Sequence, residues 1–220
     1  MKLAIVLSFI LTIPIWSPSQ SMAAIYKLLP STCTPELNAK DKTILLKNKE
    51  YIKPGEDSGE SVTYTIDINE KKNYLSYEYD ISADGGQLGF LIFEIRKFIK
   101  TGGGSLIVFS QYGGTRAAYA QQEIDFFEIY QNKLVQLKEE LLPANIEYKF
   151  FIKQKCLDSS GKQALMYSSS AYDLNPENKN EILFRINLID TEDENKKCFW
   201  GDQLAFKWTG RSFTKGKMKK

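Results

Sequence analysis

Histidine is absent from the chain's 220 residues. Its absence removes Ser-His and Cys-His nucleophilic catalysis, histidine general-base chemistry and every zinc site built on imidazole. Any catalysis would fall to carboxylates, a Ser-Lys pair, a tyrosine or a cofactor. Cysteine is nearly as scarce. Cys33, Cys156 and Cys198 are the full set and form no C-x-x-C motif, so redox and metal roles have no sequence support. No N-x-[ST] sequon occurs, which argues against a glycosylated eukaryotic product. No basic patch with interleaved aromatics marks a nucleic-acid protein. After residue 16 no apolar run approaches the roughly eighteen residues that a membrane helix needs.

The start of the chain supplies an address. Met1-Lys2 is a short positive region, Leu3 to Trp16 an apolar one, and Ser17 to Ala23 a small, polar one. Ser21-Met22-Ala23 fits the small-x-small rule of signal peptidase, so residues 1–23 read as a cleaved signal peptide and the mature chain as starting at Ala24. A periplasmic or secreted protein without a transmembrane span is the expectation. No cysteine sits at the cleavage point, which removes a lipoprotein. About 197 residues remain, enough for one domain with a sizeable core.

Basic and acidic residues number 29 and 27, but the balance is uneven. Arg211, Lys215, Lys217, Lys219 and Lys220 gather positive charge at the C-terminus. Residues 211–220 read as a solvated basic tail, with attraction to an anionic surface as the functional alternative. In an oxidising compartment Cys156 and Cys198, both at ends of predicted strands, are the preferred disulfide. Closing that loop of about 43 residues contributes on the order of 4 kcal/mol in the chain-entropy view. Cys33 is then unpaired or bonded to another molecule.

What the chain does have is period-two alternation and many aromatics (13%). Val62, Tyr64, Ile66 and Ile68 alternate with polar residues, as do Leu75, Tyr77, Tyr79 and Ile81, and Asn69 to Asn73 reads as their hairpin connection. Ile146, Tyr148, Phe150 and Ile152 repeat the pattern, followed by Ile182 to Leu188 and Leu204 to Trp208. Shorter β-rich runs are Ile44–Leu46, Leu106–Tyr112, Ile124–Tyr130 and Leu134–Leu137. Leu88–Lys100 reads as a doubly buried strand, although a helical stripe also fits it. Lys138–Leu142 reads as a single helical turn. The expected fold is all-β: an antiparallel meander of about ten strands, with little helix, forming a sandwich or small open barrel over residues 24–210. Phe127–Leu134 and Phe206–Phe213 echo one another as two amphipathic hairpins, which fits either duplication or plain hairpin chemistry.

Short motifs carry little chemistry. Asp80 to Gly85 opens like a calcium loop, but the twelfth position is Leu91 rather than a bidentate acid, so a tight Asp-Gly turn explains it. Ser159-x-x-Lys162 and Lys100-Thr101-Gly102 resemble penicillin-recognising signatures in reversed order and without S-D-N. Gly102-Gly103-Gly104 lacks the rest of a phosphate loop. Asp190, Glu192, Asp193 and Glu194 lie in one polar loop rather than across a cleft. No catalytic residue, metal ligand or cofactor is assigned. Tyr74, Tyr77, Tyr79 and Tyr112 are the candidate binding residues, because tyrosine gives rigid contact area to proteins and sugars. The expected function is an exported, non-enzymatic binding or inhibitor-like protein whose partner is a protein or glycan of the cell envelope. A carboxylate-dependent glycan hydrolase is the alternative. It would show a cleft with two acids about 5 to 9.5 Å apart, one with a raised pKa. A self-associating structural protein is the third reading.

Overall fold

The computed structural model describes residues 20–34, 36–54, 60–83, 86–115, 118–143, 146, 150–156, 170–175, 177–188 and 196–219. Alternation translates into a long meander: β1 (Glu50–Pro54), β2 (Glu60–Asn69), β3 (Tyr74–Ala83), β4 (Gly86–Ile99), β5 (Ser105–Gly114), β6 (Tyr119–Tyr130) and β7 (Lys133–Gln136), each antiparallel to the one before. A second meander follows: β8 (Ser170–Asp173), β9 (Glu181–Ile186), β10 (Gln203–Trp208) and β11 (Phe213–Lys219). Among the described residues its only ladder to the first is a parallel contact of β8 with β6 at Ala120 and Ser170. Together the described strands make one open eleven-stranded sheet, with β7 attached beside β6. Leu88–Lys100 therefore lies almost wholly in a strand, β4.

Two layers of core follow from the pleat, because neighbouring residues point to opposite faces. One face of β2–β6 presents Tyr64, Ile66, Leu75, Tyr77, Phe93, Ile95, Ile107, Phe109 and Phe127 to two helices, α1 (Met22–Leu28) and α2 (Ala39–Asn48). The other face presents Tyr74, Phe98, Leu106, Val108 and Phe126 to the second meander, whose Tyr172, Leu174, Phe184, Phe206 and Trp208 fold back over it. Among the described residues no helix is long and apolar enough to cross a membrane.

Several expectations change. Ile44–Leu46 belongs to α2, not to a strand. Asn38 caps that helix through the Lys40 and Asp41 N–H groups at 2.8 and 3.1 Å, and Asp41 returns a bond to the Asn38 N–H at 3.2 Å. This capping box satisfies donors at the helix start and outweighs the β preference of one isoleucine. Lys138–Leu142 forms no helix; Leu142 is instead buried in the second core. Of the expected strand 146–152, Tyr148 lies outside the described residues. Ile146, Phe151 and Ile152 fill core, and among the described residues of the segment the backbone makes an isolated bridge from Ile152 to Phe199. Residues 213–219 are not a loose tail but the edge strand β11. Its Lys215, Lys217 and Lys219 place charge along the edge of the described sheet, a common guard against edge-to-edge pairing.

The two echoing hairpins turn differently. β6–β7 uses a two-residue turn with Gln131 and Asn132 at φ 47° and 61°. β10–β11 spans four residues, Thr209 to Ser212, between the Trp208 and Phe213 pair. Gly210 there has φ 93°, and its carbonyl accepts the Thr101 N–H at 2.8 Å, while Trp208 Nε1 donates to Ile99 O at 2.8 Å. The hairpin thus fastens the second meander to the β4–β5 turn, which is where Lys100-Thr101-Gly102 lies. Cys156 and Cys198 are joined, their Cα atoms 5.7 Å apart, bracing the segment before β8 against the one before β10. Cys33 is free and buried, and burial pushes its thiol up to about 12, which keeps it protonated in the fold.

Candidate functional site

The inner face of the first meander changes character along its strands. Strand register puts Tyr74 opposite Arg96 and Arg96 opposite Val108. One pleat further on, Asp67, Ser76, Glu94 and Ser110 form a cross-strand row, and the next row is Thr65, Glu78, Ile92 and Tyr112. Polar side chains two residues apart share a face, so these rows build one polar strip. A cavity of about 350 Å³ opens over it, lined by Thr65, Asp67, Tyr74, Ser76, Glu78, Ile92, Glu94 and Tyr112, with Ile66 and Tyr77 bordering it. This volume sits at the small end of the range usual for ligand sites.

Glu94 and Arg96 set the cavity's inner limit. Glu94 Oε2 accepts the Leu174 N–H at 2.9 Å and Oε1 accepts the Tyr74 hydroxyl at 2.7 Å. Arg96 donates from Nη1 to Leu174 O at 2.6 Å and from Nη2 to Lys179 O at 2.9 Å. Two charged residues of β4 therefore grip both polar groups of the Leu174 backbone, just past the end of β8. Burial pushes the Glu94 carboxyl up to about 7, against the pull of the Leu174 N–H and Tyr74 O–H, with Asp173 adding to the rise. Tyr74 and Tyr112 are held neutral, first by burial and then by the Glu94 charge.

Of the four predicted tyrosines, the structure brings Tyr74 and Tyr112 to this cavity. Tyr77 points to the helices: its ring stacks on Phe93 at 4.3 Å and its hydroxyl donates to the Cys33 carbonyl. Tyr79 lies on that same outer side, half-buried, with its ring 5.2 Å from Tyr64. Both serve packing. Sequence reasoning missed Glu94, Arg96, Ser76, Glu78 and Asp67. The available signal was Glu94 and Arg96, two ionisable residues at period two inside a run that is apolar apart from them and Lys97, which places charge on one buried face. Exposed Phe150 and Trp200, under the ammonium groups of Lys215 and Lys153 at 4.6 and 5.6 Å, were also not anticipated.

Among the described residues no cluster of histidine, cysteine or carboxylates could hold a metal ion. Part of the Asp80–Gly85 loop, Ser159–Lys162 and Asp190–Glu194 lie outside the described residues. A second, wider cavity of about 520 Å³ lies where β6 meets β9 and β10, lined by Tyr119, Arg185, Asn187, Lys196, Asp202 and Gln203 among others. Its Arg185 is already paired with Asp173 at 2.5 Å.

No protein-family model and no curated protein matches the chain. The fold is similar to a solved structure, a domain of an uncharacterized protein from Porphyromonas gingivalis W83, with TM-score 0.57 and 15% identity over 89% of this chain and 97% of that one. At that identity the likeness concerns the fold alone.

Proposed function

We propose that the protein is an exported, non-enzymatic binding protein that takes a glycan of the cell envelope into the β2–β5 cavity. The observation that carries this reading is the lining itself: carboxylates (Asp67, Glu78, Glu94), hydroxyls (Thr65, Ser76, Tyr74) and the Tyr112 ring, with no basic side chain among them. Sugar hydroxyls donate to carboxylates and exchange bonds with serine and threonine, while a tyrosine ring covers the apolar face of a pyranose. An anionic ligand would meet repulsion there. The export half of the reading rests on the leader-like first residues and is supported by the Cys156–Cys198 pair.

The hydrolase alternative draws on one observation, a carboxyl raised to about 7 in a cavity with two further acids. Geometry argues against Glu94 as the acid catalyst. Both of its oxygens already accept structural hydrogen bonds, from the Leu174 N–H and the Tyr74 hydroxyl, so the carboxyl is held as an acceptor that fastens the cover rather than aimed as a donor at a leaving group.

Titration of the protein with defined envelope-polysaccharide fragments, followed by calorimetry, tests the reading. Saturable binding that Tyr112→Ala and Asp67→Asn each weaken at least tenfold, with little change in melting temperature, is the expected result. Binding that ignores both substitutions, or no binding by any fragment, overturns it. Release of reducing ends on prolonged incubation would shift the assignment to the hydrolase.

A further inference from the structure

Residues 20–26 are built into the fold. The Ser21 hydroxyl accepts the Ala24 N–H at 3.2 Å and its carbonyl accepts the Ile25 N–H at 3.0 Å, which starts α1. Met22, Ile25 and Tyr26 have no exposed surface. Glu70, in the β2–β3 turn, faces the helix start: its two oxygens lie 2.9 and 3.0 Å from Met22 N, and one lies 3.4 Å from Ala23 N. A carboxylate placed there answers both the unsatisfied N–H groups and the positive end of the helix. Lys97, buried on β4, donates to the Gln20 carbonyl at 2.8 Å, and the Gln20 side chain donates to Asn132 at the β6–β7 turn.

A cut after Ala23 would delete every one of these contacts and empty the Met22 site in the helix-side core. A cut after Ser21 keeps Met22 but removes the cap and the Lys97 acceptor. One other small-x-small triplet, Ser17-Pro18-Ser19, directly follows the apolar run, and cutting behind it removes none of these contacts. We infer that the leader is removed between Ser19 and Gln20, so that the mature chain begins at Gln20. This rests on the export reading above. The peptidase acts on an unfolded chain, so the fold does not steer the cut. It determines which product keeps a complete α1 and a filled core.

The test reads the terminus directly. The full chain, expressed with its own leader in a bacterial host, is recovered from periplasm and medium, and its N-terminal peptide is sequenced by mass spectrometry. A peptide beginning at Gln20 is expected. It carries either a free amine or the lactam formed when the α-nitrogen attacks the side-chain Cδ and ammonia leaves. A terminus at Met22 or Ala24 overturns the inference while export stands; an uncut chain retained in the cytoplasm overturns both. Ser19→Leu, which places a bulky residue before the cut, is expected to abolish the Gln20 terminus, and Ala23→Leu to leave it in place. The reverse pattern overturns the inference. A second readout is independent of secretion. Recombinant protein starting at Ala24 is expected to melt several degrees below protein starting at Gln20, and equal melting temperatures would remove the structural premise.

Discussion

Strands β3–β5 carry two faces that differ by a single step of the pleat. The outer face is covered along its length. Leu75, Tyr77, Phe93, Ile95, Ile107 and Phe109 are all buried, with Lys97 among them, and α1 and α2 seal them. The inner face is divided: Phe98, Leu106 and Val108 are sealed by the distant second meander, while Ser76, Glu78, Glu94 and Tyr112 line a cavity. Both covers are placed by polar bonds across long stretches of chain: Lys97 to the Gln20 carbonyl and Tyr77 to the Cys33 carbonyl on the outer face, Glu94 and Arg96 to the Leu174 backbone on the inner one. The charge that places the cover also makes the uncovered part polar, so clamp and candidate site share residues.

The comparison breaks most visibly on the outer face. Phe93→Ala empties a fully buried site stacked on Tyr77, and a loss of about 3–5 kcal/mol is expected in urea unfolding. A loss near 1 kcal/mol would mean that the outer face is not the main source of stability. Replacing Cys156 and Cys198 by alanine acts on the other cover, with an expected loss of about 2–4 kcal/mol. Hydrogen exchange should then quicken first in β8–β11 and leave β2–β5 protected. Uniform quickening would show that the two meanders unfold as one unit.

The difference between the faces was only partly legible in the sequence. Alternation located β2 and β3, each with one face continuously apolar; β5 and β6 were read from runs rich in β-branched and aromatic residues, and β4, buried on both faces, also fitted a helical stripe. β11 was read as a tail because a register shift opposite Leu204 and Phe206 breaks its alternation, leaving Phe213 and Met218, the two residues packed on the core, five positions apart among exposed lysines. α2 was hidden because its buried side is narrow, Asp41, Lys42 and Leu45, and its clearest signal was the Asn38 and Asp41 cap rather than hydrophobic periodicity. The tyrosines were singled out as a group but not sorted. Tyr74 and Tyr112 differ from Tyr77 and Tyr79 in strand parity, and parity decides the face only once register is known.

Glu94 makes the inner face sensitive to pH. Its carboxyl stands near 7 in the fold against an ordinary 4.5, so between those values the folded state binds more proton than the unfolded one. Its contribution is complete below about pH 4.5, declines as pH rises and is gone above 7, a span worth on the order of 3 kcal/mol. Glu94→Gln, which keeps an acceptor on the same frame, is expected to flatten stability between pH 4.5 and 7. An unchanged slope in that variant would assign the dependence to other groups.

The smallest effect separates the faces most cleanly, because it removes one oxygen from each. Tyr77→Phe deletes the buried donor to the Cys33 carbonyl and is expected to cost about 1–2 kcal/mol, the penalty for an acceptor left unpaired in the core. Tyr112→Phe removes a hydroxyl that borders the cavity, and its effect on stability should stay within about 0.5 kcal/mol. Ligand titration reverses the order: Tyr112→Phe should weaken glycan binding several-fold and Tyr77→Phe should leave it unchanged. If both substitutions moved stability and neither moved binding, the Tyr112 hydroxyl would belong with that of Tyr77 as packing, and recognition at Tyr112 would rest on the ring alone, which Tyr112→Ala removes.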